Sequence, residues 1–303
     1  IKKAEIFSAD SRQIYKHLQA GTSKPRGRWI EEQNRRVYLV ENIPYHLVDF
    51  IEIMESYNAQ RYYYDFKTIL DTVKTKDIII CGGTGLYINT LFNPLDPLPP
   101  ANQSIRTQLK EFADRYGKNK LYQKLAEIDP ESAKKIHSHN IHRIIRALEV
   151  SIITSKPYSQ LISKDIFNPK SYMNAFFVFI KWKKDLLYKR IKKRTQEVFK
   201  EWVEETKTVI ANGYPIDSPG LKSIGYPEII RYINGEIDKN EAITLITKTS
   251  MEYAKRQNTW FKRYPSLCIE INDEKDFDPE KISKMIIEKY NENTSYSNTE
   301  QKK

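Results

Sequence analysis

Cysteine is almost missing from this chain: Cys81 and Cys268 are the only two in 303 residues. Both stand in apolar, strand-like runs, so neither a disulfide framework nor a cysteine zinc site is expected, and both thiols are expected in the core. No apolar run reaches 18 residues and no signal-peptide pattern is visible, so no membrane span is expected, and a cytoplasmic location is. Acidic residues fall short of basic ones, 39 Asp+Glu against 50 Lys+Arg, which leaves a net charge of +11. That excess suits a polyanionic partner, as do the 20 tyrosines, whose rings stack well on bases. No internal repeat is present.

Three of only ten glycines fall in one stretch, Asp77-Ile78-Ile79-Ile80-Cys81-Gly82-Gly83-Thr84-Gly85-Leu86-Tyr87. The isoleucines and Cys81 read as a strand buried on both faces, the pattern of a parallel sheet. A helix follows from Leu86. Strand, glycine turn and helix mark the crevice where open α/β sheets build their sites. The turn is also compatible with a plain tight connection, or with a close approach of backbone to an anion.

The residues before it supply a second strand end. The segment Lys3 to Ser11 opens with a short strand ending in a carboxylate, Asp10, and an Asp at such a place also commonly caps a helix. Residues 21–44 hold glycine, proline and mixed charge and read as a surface excursion, with a possible strand at Val37–Val40. His46 and Asp49 fall on the exposed side of the next apolar run, too few for a metal site. A helix is expected over residues 58–74, with Tyr64, Phe66, Ile69, Leu70 and Val73 on its apolar side. Strand, helix, strand implies a right-handed crossover and parallel pairing.

Prolines at 94, 97, 99 and 100 break the pattern, and three helices follow. Ile105, Leu109 and Phe112 mark the first, Leu121, Leu125 and Ile128 the second. The third, residues 140–154, has the stripe Ile141, Ile144, Ile145, Leu148 and Ile152. Its other side carries His142, Arg143, Arg146 and Glu149, a ridge that suits phosphate contacts or a solvated face. Residues 97–170 therefore read as a helical domain inserted into an α/β core made of 1–96 and 171–290. The core resumes with an apolar strand at 174–180 and a helix at 185–212 closed by Gly213. A long helix begins at the Asp238 cap, a strand follows at 267–271, and a closing helix spans 279–290. Residues 291–303 are polar and are expected to be a disordered tail.

Seven blocks along this chain resemble the tRNA dimethylallyltransferase (tRNA isopentenyltransferase) family. They are Ser8–Tyr15, Gly21–Pro25, His46–Asp49, Gly82–Tyr87, Arg143–Val150, Ser223–Tyr226 and Ala254–Gln257. The resemblance implies a P-loop-type α/β core with a helical insertion. It implies transfer of a dimethylallyl group from its diphosphate to N6 of adenosine 37, beside the anticodon of tRNAs that read codons beginning with U. An exocyclic amine is a weak nucleophile, so a carboxylate must take its proton, and Asp10 matches that base. Thr84 matches the residue that holds the amine in line. Arg194 stands at the position that contacts the diphosphate, which Mg2+ accompanies in the family. The positions matching tRNA contacts are Asp10, Ser11, Arg12, Gln13, Thr84, Arg106, His142, Arg143, Ile144, Ile145, Arg146, Lys222, Ser223, Ile224, Gly225, Tyr226 and Pro227. The expected partners are a tRNA anticodon stem-loop and dimethylallyl diphosphate, and a monomer is expected.

The chain departs from the family in three respects: Gly27 to Asn42 is longer than the minimal family version, Pro227 stands where a basic residue is common, and the phosphate loop is missing. No G-x-x-x-x-G-K-[ST] phosphate loop occurs, and the single Gly-Lys pair, Gly117-Lys118, lies in the helical region. A segment upstream of Ile1 is therefore expected. Two other readings remain at this point: a tRNA-binding remnant without catalysis, and a small-molecule P-loop kinase.

Overall fold

The computed structural model describes residues 4–32, 35–73, 75, 77–162 and 175–300. The elements in order are β1 (Glu5–Ser8), β2 (Arg28–Glu32), β3 (Arg35–Val40), β4 (Ile43–His46), α1 (Ala59–Leu70), β5 (Ile78–Cys81) and α2 (Gly85–Phe92). Five helices follow: α3 (Gln103–Tyr116), α4 (Lys118–Ile128), α5 (Pro130–Lys135), α6 (Ile141–Thr154) and α7 (Tyr158–Leu161). The chain closes with β6 (Phe177–Trp182), α8 (Lys184–Ala211), α9 (Tyr226–Ile233), α10 (Lys239–Phe261), β7 (Ser266–Ile271) and α11 (Pro279–Glu300). Two compact units result, Ile1–Phe92 with Pro169–Lys303, and Asn93–Asn168. The first division falls at Phe92 rather than residue 96; the expected second limit near 170 lies outside the described residues, as does Asn174.

In the α/β unit a five-stranded sheet has the order β2-β3-β4-β1-β5. Strands β4, β1 and β5 are parallel, while β2-β3 and β3-β4 are antiparallel. Residues 21–44 are therefore no surface excursion. They add antiparallel strands to the sheet, because Val37 and Tyr38 bury their side chains at 1% and 3% exposure. At the other end β5 is the outermost strand, with Ile79 40% exposed and Cys81 exposed, so it is not buried on both faces as its composition implies. Strands β6 and β7 pair in parallel as a separate two-stranded sheet, half-buried along β6, and Cys268 is also exposed. The helix after β4 stops at Leu70 and buries Ala59, Tyr62 and Phe66, while Tyr64 is 58% exposed. Its stripe runs through 59, 62 and 66, one step round from the expected one.

The main core gathers Ile14, Leu18, Ile51 and Ile53 under α8, α9 and α10, which supply Trp202, Tyr226, Ile229, Ile243 and Ile246. Glu205 of α8 fastens this layer. Its Oε2 accepts the Gln19 and Ala20 N–H groups at 2.7 and 2.9 Å, and its Oε1 accepts the Tyr226 hydroxyl at 2.6 Å. The helical unit closes over Leu109, Leu121, Leu125, Ile144, Ile145 and Leu148, whereas Ile152 is 45% exposed. The closing helix continues to Glu300, past residue 291 where a disordered tail was expected. No glycine or proline interrupts residues 280–300, and Lys289 pairs with Glu292 at 2.8 Å.

His46 is turned inward rather than exposed. It is 6% exposed, stacks on Phe7 at 4.7 Å, and sets Nε2 2.5 Å from Glu5 Oε2. Arg35 forks onto the same carboxylate at 2.9 and 3.1 Å. Burial lowers the imidazole pKa from 6.5, against the opposing hydrogen bond from Glu5. Burial pushes the Glu5 carboxyl up, but the hydrogen bonds from Arg35 and His46 outweigh it and leave the pKa below 4.5. Both groups thus hold fewer protons folded than unfolded, so stability is complete above 6.5 and declines as pH falls below it. Thermal melts are expected to drop between about pH 7.5 and about pH 5.5, with a smaller drop in His46→Gln.

Candidate active site

The parallel register of β1 and β5, Ser8 opposite Cys81, sends two chain segments off the sheet side by side. Ala9 N–H donates to Cys81 O at 2.8 Å, and Thr84 N–H donates to Ala9 O at 3.0 Å. That exchange sets Asp10 and Thr84 at the carboxyl ends of neighbouring strands, as their positions in sequence imply. Ser11 N–H donates to Thr84 Oγ1 at 2.9 Å, and Thr84 Oγ1 donates to Ser11 Oγ at 3.2 Å.

Residues 11–14 form a turn, not a helix, so Asp10 is not a helix cap. Its Oδ1 accepts the Arg12 and Gln13 N–H groups at 2.7 and 3.3 Å, while Oδ2 takes no hydrogen bond among the described residues. Burial raises the Asp10 pKa above 3.8, tempered by those two amides and the Arg12 charge. A carboxylate with raised basicity and one unengaged oxygen is equipped to accept a proton.

The glycines of the turn make room for protein rather than for phosphate. A Cβ on Gly82 would stand 2.4 Å from the Ala9 carbonyl carbon and oxygen. On Gly83 it would meet Gln257 Nε2 at 1.9 Å, and on Gly85 the Trp260 ring at 2.2 Å. Helix α10 therefore lies directly on the turn.

Beside this pair opens a cavity of 1330 Å³ whose lining includes Asp10, Arg12, Arg194, Lys222, Tyr253 and Arg256. Arg194, on α8, donates Nη2 to Ala20 O at 3.1 Å. Gln13 Nε2 braces the Thr22 and Ser23 carbonyls at 3.4 and 3.2 Å. Lys24, 4% exposed, donates Nζ to Tyr15 O at 2.8 Å and pairs with Asp49, which also accepts Trp29 Nε1–H at 3.1 Å. Burial lowers the Lys24 pKa, partly countered by Asp49. The stretches Gly21–Pro25 and His46–Asp49, far apart in sequence, thus meet in one ion pair.

In the helical unit Asn140 caps α6, accepting Arg143 N–H at 3.3 Å, and His142 and Arg143 are exposed. Glu149 is fully buried and holds two arginines. Arg106 reaches it through Nε at 2.9 Å and Nη2 at 3.0 Å, and Arg146 through Nη1 at 2.7 Å. Burial alone would raise this carboxyl; the hydrogen bonds from Arg106 and Arg146 and the Asn102 amide hold it below 4.5.

A family model described as IPP transferase matches residues 13–264. The chain is 43% identical over 265 residues to a tRNA dimethylallyltransferase of Elusimicrobium minutum (strain Pei191), covering 87% of this chain and 84% of that protein. It is 38% identical over 294 residues to one of Thermoanaerobacter sp. (strain X514), covering 93% and 88%. The chain belongs to the IPP transferase family. The crystal structure of a full-length tRNA isopentenylpyrophosphate transferase from Bacillus halodurans superposes with TM-score 0.60 at 28% identity, covering 96% of this chain and 88% of that one. This neighbour carries the P-loop-type fold.

Several positions expected at the tRNA surface of an IPP transferase turn inward here. Ile144 and Ile145 are 0% and 5% exposed in the helical core. Ser223 and Tyr226 are 2% and 0% exposed, with the Ser223 hydroxyl spent on Gly220 O at 2.6 Å. Gly225 has φ +95 and lies against the Trp202 ring. Lys222, Pro227, Arg12, His142 and Arg143 are exposed, while Ser11, Ile224, Arg106 and Arg146 are partly so. Glu149, counted with the basic ridge, is instead the buried anchor of Arg106 and Arg146. Tyr253 lies just outside the Ala254–Gln257 block, four residues before Gln257 on α10, a spacing that puts the two on one helix face.

Replacing Gly82 by Ala drives a methyl group into backbone that cannot rotate away. Gly82→Ala is expected to cost about 1–3 kcal/mol in a denaturant melt. Gly83→Ala is expected to cost less, since the Gln257 side chain can swing aside.

Proposed function

We propose that this protein transfers a dimethylallyl group from dimethylallyl diphosphate to N6 of adenosine 37 in tRNAs that read codons beginning with U. The observation that carries this reading is the pairing of Asp10, a carboxylate of raised basicity, with Thr84 at adjacent strand ends. Relatives named tRNA dimethylallyltransferase, at 43% and 38% identity, support it, and they favour it over a catalytically inactive remnant or a small-molecule kinase.

In the proposed reaction the adenine leaves its stack and enters the cavity beside Asp10. Thr84 orients the exocyclic amine. The N6–carbon bond forms as the allylic carbon–oxygen bond breaks, the electron pair leaves with the diphosphate, and the amine proton passes to Asp10 Oδ2. Arg194 faces the leaving diphosphate with positive charge. Mg2+ is the ion proposed to accompany that diphosphate. Among the described residues there is no group of three or more His, Cys, Asp or Glu that could hold a metal ion.

Arg12, Lys222 and Pro227 of the α/β unit and His142 and Arg143 of the helical unit are the exposed side chains proposed to contact the anticodon stem-loop. Arg106 and Arg146 contact it while held by Glu149, and Ser11, Gln13 and Ile224 contact it at the site. Ser223, Tyr226, Ile144 and Ile145 serve by shaping those surfaces from within. No helix among the described residues is long and apolar enough to cross a membrane, and we propose a cytoplasmic monomer.

The test uses the full-length protein with labelled dimethylallyl diphosphate, Mg2+ and tRNA. Label is expected on adenosine 37, and its absence refutes the reading. Asp10→Ala is expected to abolish transfer while tRNA affinity stays within about threefold, under one kcal/mol. Transfer at the wild-type rate by Asp10→Ala removes Asp10 as the base.

A further inference from the structure

One carbonyl in the site receives unusual attention. Gly83 O accepts the Tyr253 hydroxyl at 3.1 Å and the Gln257 amide at 3.2 Å. Both donors come from α10, one turn apart on one face. Gly83 precedes Thr84, so the two bonds fix the peptide plane that leads into the Thr84 backbone, whose N–H is in turn tied to Ala9 O at 3.0 Å. Burial raises the Tyr253 phenol pKa, the Asp10 charge raises it further, and Thr84 and Gln257 lower it, so the phenol shares its surroundings with both members of the pair. A Gly83 side chain would occupy the place of the Gln257 amide. The turn has thus given up a side chain to admit this clamp.

We propose that Tyr253 is a positioning residue for the Asp10–Thr84 pair. With Gln257 it holds the Gly83 carbonyl, and through it sets the direction of Thr84 Oγ1 toward the amine that Asp10 deprotonates. Beyond the catalytic base and the oriented hydroxyl, the site therefore has a third element, borne by a helix more than 160 residues downstream. A hydroxyl off line by even a fraction of an ångström loses its advantage in orientation. Tyr253 is half-buried in the cavity lining, so its ring also keeps water from the pair.

This inference rests on the proposed transferase reading, and its test separates the two. In single-turnover transfer by the full-length protein, Tyr253→Phe keeps the ring and removes the hydroxyl. It is expected to slow the step by about tenfold, with the KM for tRNA and the melting midpoint unchanged. Gln257→Met, which removes the second donor, is expected to slow it as well. Because Tyr253 acts through Thr84, adding Tyr253→Phe to Thr84→Ala is expected to cause no further loss. A Tyr253→Phe rate within about twofold of wild type overturns the proposal, as does a full multiplicative loss in the double variant. In those cases wild-type transfer and a slow Thr84→Ala leave the transferase reading standing. A wild-type protein that transfers no label overturns both.

Discussion

The backbone exchange between the ends of β1 and β5 is the constraint on which the site depends. Cys81 O receives Ala9 N–H, and Ala9 O receives Thr84 N–H, at 2.8 and 3.0 Å. These bonds continue the parallel ladder past its last residue pair, so the two emerging segments stay within a strand spacing of each other. Asp10 and Thr84 are the first functional side chains beyond that ladder. Any residue at 82 larger than glycine would push the two backbones apart. Rigidity at this junction is what lets a short turn serve as a site, because oriented groups on regular elements hold their geometry better than groups on loops.

Electrostatics and packing act together at the same place. Asp10 is placed where burial raises its basicity, yet two backbone amides on one oxygen keep it hydrogen-bonded. That combination leaves a carboxylate that is ordered and still able to take a proton. Elsewhere buried charges are met by neighbours: Glu5 by the Arg35 guanidinium and a hydrogen bond with His46, Glu149 by Arg106 and Arg146, and Lys24 by Asp49. Each of these clusters joins segments distant in sequence, and each contains residues that the alternation of polar and apolar positions marks as surface. The net positive charge that remains lies on exposed side chains such as Arg12, Lys222 and Arg143, where it is free to meet an anionic backbone.

Much of this was legible in the residues themselves. The apolar run ending at Cys81, the glycine turn and the strand before Asp10 announced a pair of strand ends, because a parallel strand and its turn are written locally. The helical segment after Phe92 was legible through its 3.6-residue stripe at 105, 109 and 112. What stayed hidden depends on contacts between distant segments. Strand β5 is apolar but outermost, so its sequence overstated its burial. The antiparallel strands at 28–40 are short and carry charges, and only the pairing of β2 with β3 and of β3 with β4 assigns them to the sheet. His46 and Glu149 look solvated until their partners Glu5 and Arg106 are seen. The glycines at 82, 83 and 85 are compatible in sequence with a tight connection or with an approaching anion, whereas in the fold it is Ala9, Gln257 and Trp260 that press against them. A local pattern reveals that a close approach exists, but not what approaches.

The central claim is that burial at these strand ends makes Asp10 a base for the amine of a tRNA adenine. The most direct measurement is the pH dependence of single-turnover transfer by the full-length protein. The account predicts an acid limb at a pKa above the ordinary aspartate value of 3.8, with the rate lost as pH falls through it and the limb displaced in Asp10→Glu. A rate that holds level down to pH 3.8, or an acid limb untouched by Asp10→Glu, would contradict it.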